Sequence, residues 1–110
     1  MPEPRPRAHD PAPIFAALGD RTRLALLAKL IGGTPQSITR LSADTRLTRQ
    51  AITKHLRVLE KAGIVQSSRV GRESQFILRP ERIDEARSYL DQVAAQWADA
   101  LSRLRAFVER

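Results

Sequence analysis

The 110-residue sequence contains no cysteine, which excludes disulfides, thiol-based redox sensing and cysteine-ligated zinc. Aromatic residues make up only 5% of the chain, and no apolar run approaches the roughly 20 residues that a membrane span requires. Residues 1–12 have no apolar signal core, and their many prolines predict a flexible N-terminal arm. A cysteine-free chain is compatible with a reducing cytosol, so we predict a cytoplasmic protein. We predict no membrane partner, because the polar face of the last predicted helix carries charges of both signs.

Acidic residues are scarce relative to basic ones. The chain has 19 Lys and Arg against 12 Asp and Glu, a net charge of +7. Residues 40–79 hold nine cations and three acids, a net of +6, whereas residues 80–110 have a net of −1. An excess of this size favours nucleic acid or an anionic membrane surface, although an inert basic surface remains an alternative on charge alone. Its concentration in one segment strengthens the case for a polyanion partner.

Two helices are predicted near the start of the chain. A short apolar stretch at residues 14–18 indicates the first, and Asp20 is placed to cap the second. The second helix carries its apolar face at helical spacing, formed by Leu24, Leu27, Ala28 and Ile31. Gly32 and Gly33 then end it.

Residues 37–62 predict a helix, a short turn and a second helix with two unlike faces. Ser37 and Thr48 are placed as caps, and Gly63 ends the second helix. Its core face carries Ile52, Leu56 and Leu59, while its outer face carries Arg49, Gln50, Thr53, Lys54 and Arg57. An outer face of cations and hydrogen-bonding groups suits the major groove of DNA. An ordinary pair of packed helices remains an alternative on spacing alone.

Residues 65–78 change to a β-favouring pattern around Gly71, which predicts a hairpin directly after the second helix. A hairpin in this place is typical of the wing of a winged helix. Arg69 and Arg72 lie at or near its tip, where arginines can contact phosphates or a narrow minor groove. Solvated arginines on an exposed turn are the alternative.

The last segment predicts one long helix of about 27 residues, or roughly 40 Å. Its apolar residues follow steps of three and four: Ile83, Ala86, Leu90, Val93, Trp97, Ala100, Leu104 and Phe107. A helix of that length outreaches a domain of this size, so part of the stripe should pack on another chain. We interpret Trp97 as a core or interface anchor, with a ligand pocket as the alternative.

Three segments resemble the ArsR/SmtB family of bacterial winged-helix repressors: ALGDRTRLALLAKL, SITRLSADTRLTRQAITKHLRVLEKAGIV and SSRVGRES. The resemblance covers about residues 14–79. It implies a mainly α fold with a small β-hairpin wing, with a winged helix-turn-helix at residues 13–79 and a dimerisation helix at residues 80–110. It also implies a homodimer that binds an inverted-repeat operator in double-stranded DNA, usually as a repressor.

The resemblance also implies site residues. Together with Arg57 of the outer face and Arg69 of the hairpin, it gives the predicted DNA-binding set: Thr48, Arg49, Gln50, Thr53, Lys54, His55, Arg57, Arg69 and Arg72. Within it, His55 is interpreted as a structural or phosphate-contacting group. The implied dimer interface is Ile14, Phe15, Leu90, Val93, Trp97, Leu101 and Leu104.

This chain departs from the metal-sensing members of the family. Ser37 and Thr39 stand where many members have a cysteine pair, and hydroxyl groups are poor ligands for soft metals. The terminal helix has no histidine, and His9 and His55 are the only two in the chain. We therefore predict a member without a metal site or a cofactor, whose effector, if it has one, is a small molecule that the sequence does not identify.

The leading hypothesis is thus a homodimeric transcriptional repressor. A winged-helix adaptor that binds proteins without specific DNA binding is the alternative, and a steep salt dependence of DNA binding would separate the two. An enzyme is not predicted, because the sequence offers no Ser-His-acid set, no cysteine nucleophile and no phosphate-binding glycine loop.

Overall fold

The computed structural model describes residues 10–109. The elements follow the chain as α1 (Ala12–Leu18), α2 (Arg21–Leu30), β1 (Gln36–Ser37), α3 (Ile38–Ser42), α4 (Arg49–Lys61), β2 (Val65–Val70), β3 (Glu73–Leu78) and α5 (Pro80–Val108). The fold is mainly helical with a small antiparallel sheet, which confirms the predicted class. Residues 1–9 of the predicted N-terminal arm lie outside the described residues, and α1 begins inside the predicted arm, at Ala12.

The core collects apolar side chains from all five helices and from the sheet. Its members are Ile14, Ala17, Leu26, Leu27, Leu30, Leu41, Ile52, Leu56, Leu59, Ile64, Val65, Phe76 and Ala86. The predicted core face of α4 is confirmed, because all three of its apolar residues are fully buried. Burial of such side chains, at roughly 1.5–3 kcal/mol each, supplies most of the force that holds α4 in place.

The predicted core face of α2 is wrong except at Leu27, which is buried. Leu24 and Ile31 are 51% and 72% exposed, Ala28 is exposed as well, and the helix buries Leu26 and Leu30 beside Leu27. Because this helix is apolar on more than one side, helical spacing alone cannot select the face that packs inward. The face is set by tertiary contacts, among them those of Arg23, which lies on the buried side and bonds to the end of α1.

The end of α4 depends on Gly63, whose φ of +80° favours glycine. The amide of Ile64 donates to the carbonyl of Leu59 at 3.0 Å, and Ile64 itself is fully buried. A Cβ added at Gly63 would lie 3.0 Å from Nε of Arg82. Conformation and space therefore both favour glycine where the chain turns from α4 into the sheet.

The sheet has three strands in the order β1-β3-β2, all antiparallel. The predicted hairpin is confirmed as β2 and β3, which pair from Val65 with Leu78 to Val70 with Glu73. Gly71, with φ of +64°, lies in the two-residue turn between them. Strand β1 was not predicted, because two residues are too short to show a period.

Helix α5 has 29 residues, and its length of about 43 Å confirms the predicted long terminal helix. Ala86 is its one buried residue, although Tyr89 packs on Phe15 of α1 with ring centroids 5.8 Å apart. Beyond this contact α5 projects from the rest of the chain, which spans 68 Å along its longest axis. Across residues 10–109, no helix combines the length and apolar character needed to cross a membrane.

Candidate nucleic-acid interface

Helices α3 and α4 form a helix-turn-helix, and a hydroxyl caps the start of each. Ser37 Oγ accepts from the amide of Arg40 at 3.2 Å, and Thr48 Oγ1 accepts from the amide of Ala51 at 3.1 Å. Each bond satisfies a backbone donor that the first turn of a helix leaves free. Both predicted caps are thereby confirmed, and the second one fixes where α4 begins.

The outer face of α4 is exposed at its N-terminal end. Arg49, Gln50 and Lys54 are exposed, and none of them forms an ion pair with another described residue. Thr53 is half-buried, and its hydroxyl donates to the carbonyl of Arg49 at 2.8 Å. The hydroxyls of Thr48 and Thr53 are thus already bonded to backbone, while the three longer side chains are available to a partner.

His55 does not lie on this outer face, and its position fits the structural alternative of the two roles predicted for it. It lies on the side of α4 that faces the end of α1, with only 25% of its side chain exposed. Its Nδ1 is 3.2 Å from Nη1 of Arg23. The family resemblance included His55 in the DNA-binding set, whereas its neighbour in the fold, Arg23, lies 32 residues away in the sequence.

Arg57 lies on the outer face, but its guanidinium is already engaged. Nη1 donates to Glu60 Oε1 at 2.7 Å, and Cζ lies 5.7 Å from the ring centroid of Phe76 in β3. These are an i, i+3 ion pair and a cation–π contact. Arg57 therefore braces α4 against the hairpin, and it is less available to a ligand than Arg49 or Lys54.

Glu60 joins α4 to the hairpin, a role that the sequence analysis missed. Its carboxylate accepts from the amide of Ser67 at 3.3 Å and from the hydroxyl of the same residue. The hydroxyl bond, followed by the bond from Arg57, lowers the pKa of Glu60 below its ordinary value. The spacing of Arg57 and Glu60 was the available signal for their pair, but nothing in the sequence indicated Ser67.

The wing presents Arg69 and Arg72, which are both exposed near the Gly71 turn. Like Arg49 and Lys54, they form no ion pair within residues 10–109. We call five such residues, those just before α4, in its N-terminal half and on the wing, the unpaired cations: Arg46, Arg49, Lys54, Arg69 and Arg72; Arg40 and Lys61 of the same segment also form no ion pair within residues 10–109. By contrast, Lys29, Arg57, Arg79 and Arg82 each lie within 4 Å of a carboxylate. The uncompensated charge of this segment thus lies on the helix-turn-helix and the wing.

The residues predicted for a dimer interface divide into two groups. Leu90, Trp97, Leu101 and Leu104 are 53–66% exposed, Val93 is partly exposed, and Phe15 is half-buried against Tyr89. Ile14 is only 1% exposed, and its predicted place at the interface is corrected because it packs in the core of its own chain. An exposed apolar stripe therefore runs along the projecting part of α5.

No group of three or more His, Cys, Asp or Glu residues in the described part of the chain is arranged to hold a metal ion. His9 lies outside the described residues. Ser37, at one predicted cysteine-equivalent position, caps α3 and also pairs with Gln75 in β3. Its hydroxyl therefore serves the fold.

A family model described as a helix-turn-helix domain matches residues 18–67. The HTH-type transcriptional regulator YuzN of Bacillus subtilis is 42% identical over 74 residues, which are 62% of this chain and 80% of YuzN. The solved structure of an ArsR-like transcriptional regulator from Rhodococcus sp. RHA1 shares 34% identity and has a TM-score of 0.76. That match covers 88% of this chain and 91% of the Rhodococcus chain.

A third similar protein is a homodimeric winged helix-turn-helix DNA-binding domain from Mycobacterium bovis. It is 27% identical with a TM-score of 0.60, and the match covers 77% of each chain. YuzN and the Rhodococcus protein are named as transcriptional regulators, and the Mycobacterium bovis protein is named as a DNA-binding domain. The chain therefore belongs to the ArsR-like family of winged helix-turn-helix transcriptional regulators.

Proposed function

We propose that the protein is a homodimeric repressor that binds an inverted-repeat operator through α4 and the wing. The observation that carries this proposal is the segregation of charge. Residues 40–79, which form most of the helix-turn-helix and the wing, have a net charge of +6, whereas residues 80–110 have a net of −1, and the unpaired cations lie in the positive segment. Cations that have no carboxylate partner are free to pair with DNA phosphates, and each such contact releases a counterion from the DNA.

Within this surface, base recognition falls to the exposed N-terminal half of α4. Gln50 can pair with the N6 and N7 edge of adenine, and Arg49 with the O6 and N7 edge of guanine. Lys54, Arg69 and Arg72 supply phosphate contacts or a minor-groove contact. Thr48 and Thr53 support α4 through the hydrogen bonds of their hydroxyls to its backbone.

The proposed homodimer forms through the exposed stripe of α5. Leu90, Val93, Trp97, Leu101 and Leu104 lie along one side of a helix whose residues 94–108 are all exposed. Apolar residues at this density on a projecting helix favour burial against a second copy. The similar domain from Mycobacterium bovis is a homodimer, which supports the same assembly here. Two-fold symmetry in the protein would then require a matching inverted repeat in the operator.

The test begins with selection of bound duplexes from a random DNA library by the full chain. Affinity for the selected duplex is then measured by fluorescence anisotropy over a range of salt. If every unpaired cation of both subunits neutralises one phosphate, the slope of log K against log salt approaches about −9. The same duplex can be used to test whether a small-molecule effector changes the affinity of the dimer for DNA.

Arg49→Ala with Lys54→Ala should weaken binding and reduce the magnitude of the slope by up to about 3.6. The matched control is Arg87→Ala with Arg103→Ala, which removes two exposed cations of α5 and should leave the slope unchanged. Binding that does not depend on salt, or that both double variants weaken equally, contradicts the proposed surface. In that case the protein-binding adaptor becomes the better hypothesis.

A further inference from the structure

Arg23 joins three elements at the junction of α1, α2 and α4. Its Nε donates to the carbonyl of Ala17 at 2.6 Å, and Nη2 donates to the carbonyl of Ala16 at 3.5 Å. Its Nη1 lies 3.2 Å from Nδ1 of His55 in α4. The planar guanidinium can hold these acceptors in one fixed arrangement, which a lysine ammonium cannot do.

The junction is electrostatically consistent. Ala16 and Ala17 belong to the last turn of α1, where carbonyl groups lack the usual partners four residues on and a cation is favoured. The carbonyl of Ala16 also accepts from the amide of Gly19 at 3.4 Å. Asp20 Oδ1 accepts from the amide of Arg23 at 3.0 Å and so caps α2. The same oxygen lies 3.8 Å from Nδ1 of His55. For Nδ1 of His55 to accept from Arg23, the neutral imidazole carries its hydrogen on Nε2.

The junction is also continuous with α5. Phe15 of α1 packs on Tyr89 of α5 at 5.8 Å between ring centroids. A line of contacts thus runs from Tyr89 to Phe15, through the end of α1 to Arg23, and on to His55. This line connects the helix proposed to pair two subunits with the helix proposed to enter the groove.

We infer that Arg23 is a positioning residue, which acts through His55 to set the angle of α4 relative to α1 and α5. In a dimer that angle fixes the distance between the two α4 helices, and hence how well both fit an operator at once. The inference rests on the proposed function. It assigns neither Arg23 nor His55 a contact with DNA, in contrast to the phosphate contact that the sequence allowed for His55.

The variants follow from the chemistry of the junction. Arg23→Lys keeps the charge but loses the planar fork, and His55→Phe keeps a ring but loses the acceptor. His55→Asn keeps an acceptor near the position of Nδ1 and serves as the conservative rescue. Circular dichroism melting confirms that each variant is folded, and binding is measured well below its melting midpoint.

Two duplexes are used as probes: the one selected by the wild-type chain, and a scrambled duplex of the same composition. We expect Arg23→Lys and His55→Phe each to reduce the preference for the selected duplex by about tenfold, a size common for coupled neighbours. Affinity for the scrambled duplex and the salt slope should not change. His55→Asn should retain most of the preference, and combining Arg23→Lys with His55→Phe should cost no more than the larger single effect.

A second measurement does not use DNA. Because the chain has no cysteine, Lys61→Cys at the exposed end of α4 gives one spin-label site per subunit. Pulsed electron paramagnetic resonance then measures the distance between the two spin labels of the dimer. We expect Arg23→Lys to shift or broaden this distance distribution relative to the wild-type background, and His55→Asn to shift it less than His55→Phe.

The inference is overturned if Arg23→Lys and His55→Phe bind the selected duplex as the wild type does. It is also overturned if either variant reduces the magnitude of the salt slope by about 0.9 per subunit, since that would indicate a direct phosphate contact. An unchanged label distance in both variants counts against it as well. If the wild-type chain itself binds duplex DNA without salt dependence, the proposed function fails and this inference fails with it.

Discussion

Glu60 offers the sharpest test of how the wing is held on α4. Its carboxylate accepts three hydrogen bonds, from the amide and hydroxyl of Ser67 and from Arg57. Glu60→Ala removes all three and leaves the guanidinium of Arg57 with only its contact to the ring of Phe76. Glu60→Gln keeps an oxygen that can accept from Ser67 but removes the negative charge beside Arg57.

The expected loss of stability can be bounded from the structure. Hydrogen bonds to a charged group contribute roughly 1.5–3 kcal/mol when well formed. The side chain of Glu60 is 31% exposed, so water screens the charge and can replace part of the bonding. We therefore expect Glu60→Ala to lower the free energy of unfolding by about 1–2 kcal/mol, with a smaller loss for Glu60→Gln.

The effect should depend on pH in a defined direction. The hydroxyl of Ser67, and then Arg57, hold the pKa of Glu60 below its ordinary value of 4.5. A carboxyl with a depressed pKa in the folded state stabilises the protein above its unfolded-state pKa, and that stability is lost as pH falls through the folded value. The difference between wild type and Glu60→Ala should therefore be full near neutral pH and shrink as the pH falls below 4.5.

Urea unfolding followed by far-ultraviolet circular dichroism measures this difference at each pH. The control is Glu73→Ala, which removes an exposed carboxylate of the same hairpin with no ion pair among the described residues. A surface change of this kind should stay within about 0.5 kcal/mol of the wild type. Equal stability of Glu60→Ala and wild type at neutral pH, or a difference that does not respond to acid, would refute the reasoning.

Two further changes test the proposed dimer and the start of α4. Trp97 is 66% exposed in the middle of the α5 stripe, so Trp97→Asp should weaken self-association by at least about tenfold in sedimentation velocity. Gln92→Asp, at another exposed position of α5, should not, and equal sedimentation of both variants would contradict the interface. Thr48→Ala removes the cap bond of 3.1 Å and should cost about 0.5–2 kcal/mol in urea unfolding. Thr48→Ser should retain most of that stability, whereas equal losses in both variants would show that the hydroxyl is not the source.

A helix could be predicted well from the sequence where one of its faces is apolar and the other is polar. Helix α4 alternates sharply between apolar and polar positions, so its core residues Ile52 and Leu56 could be predicted from spacing alone. Helix α2 is apolar on several sides, and its orientation was wrong because the deciding contact, from Arg23 to Ala17, joins separate helices. Strand β1 exists only through its pairing with β3, which no local pattern of two residues can reveal.

The candidate site shows the same limit at the level of single charges. Helical spacing placed Arg49, Lys54 and Arg57 on one face, but it could not tell which of them a carboxylate or a ring already engages. The fold answers this, because it brings Glu60 and Phe76 to Arg57 and leaves Arg49 and Lys54 without ion partners in the described chain. Charge available to DNA is therefore a property of the folded surface, and a count of cations along the sequence overstates it wherever the fold supplies a partner.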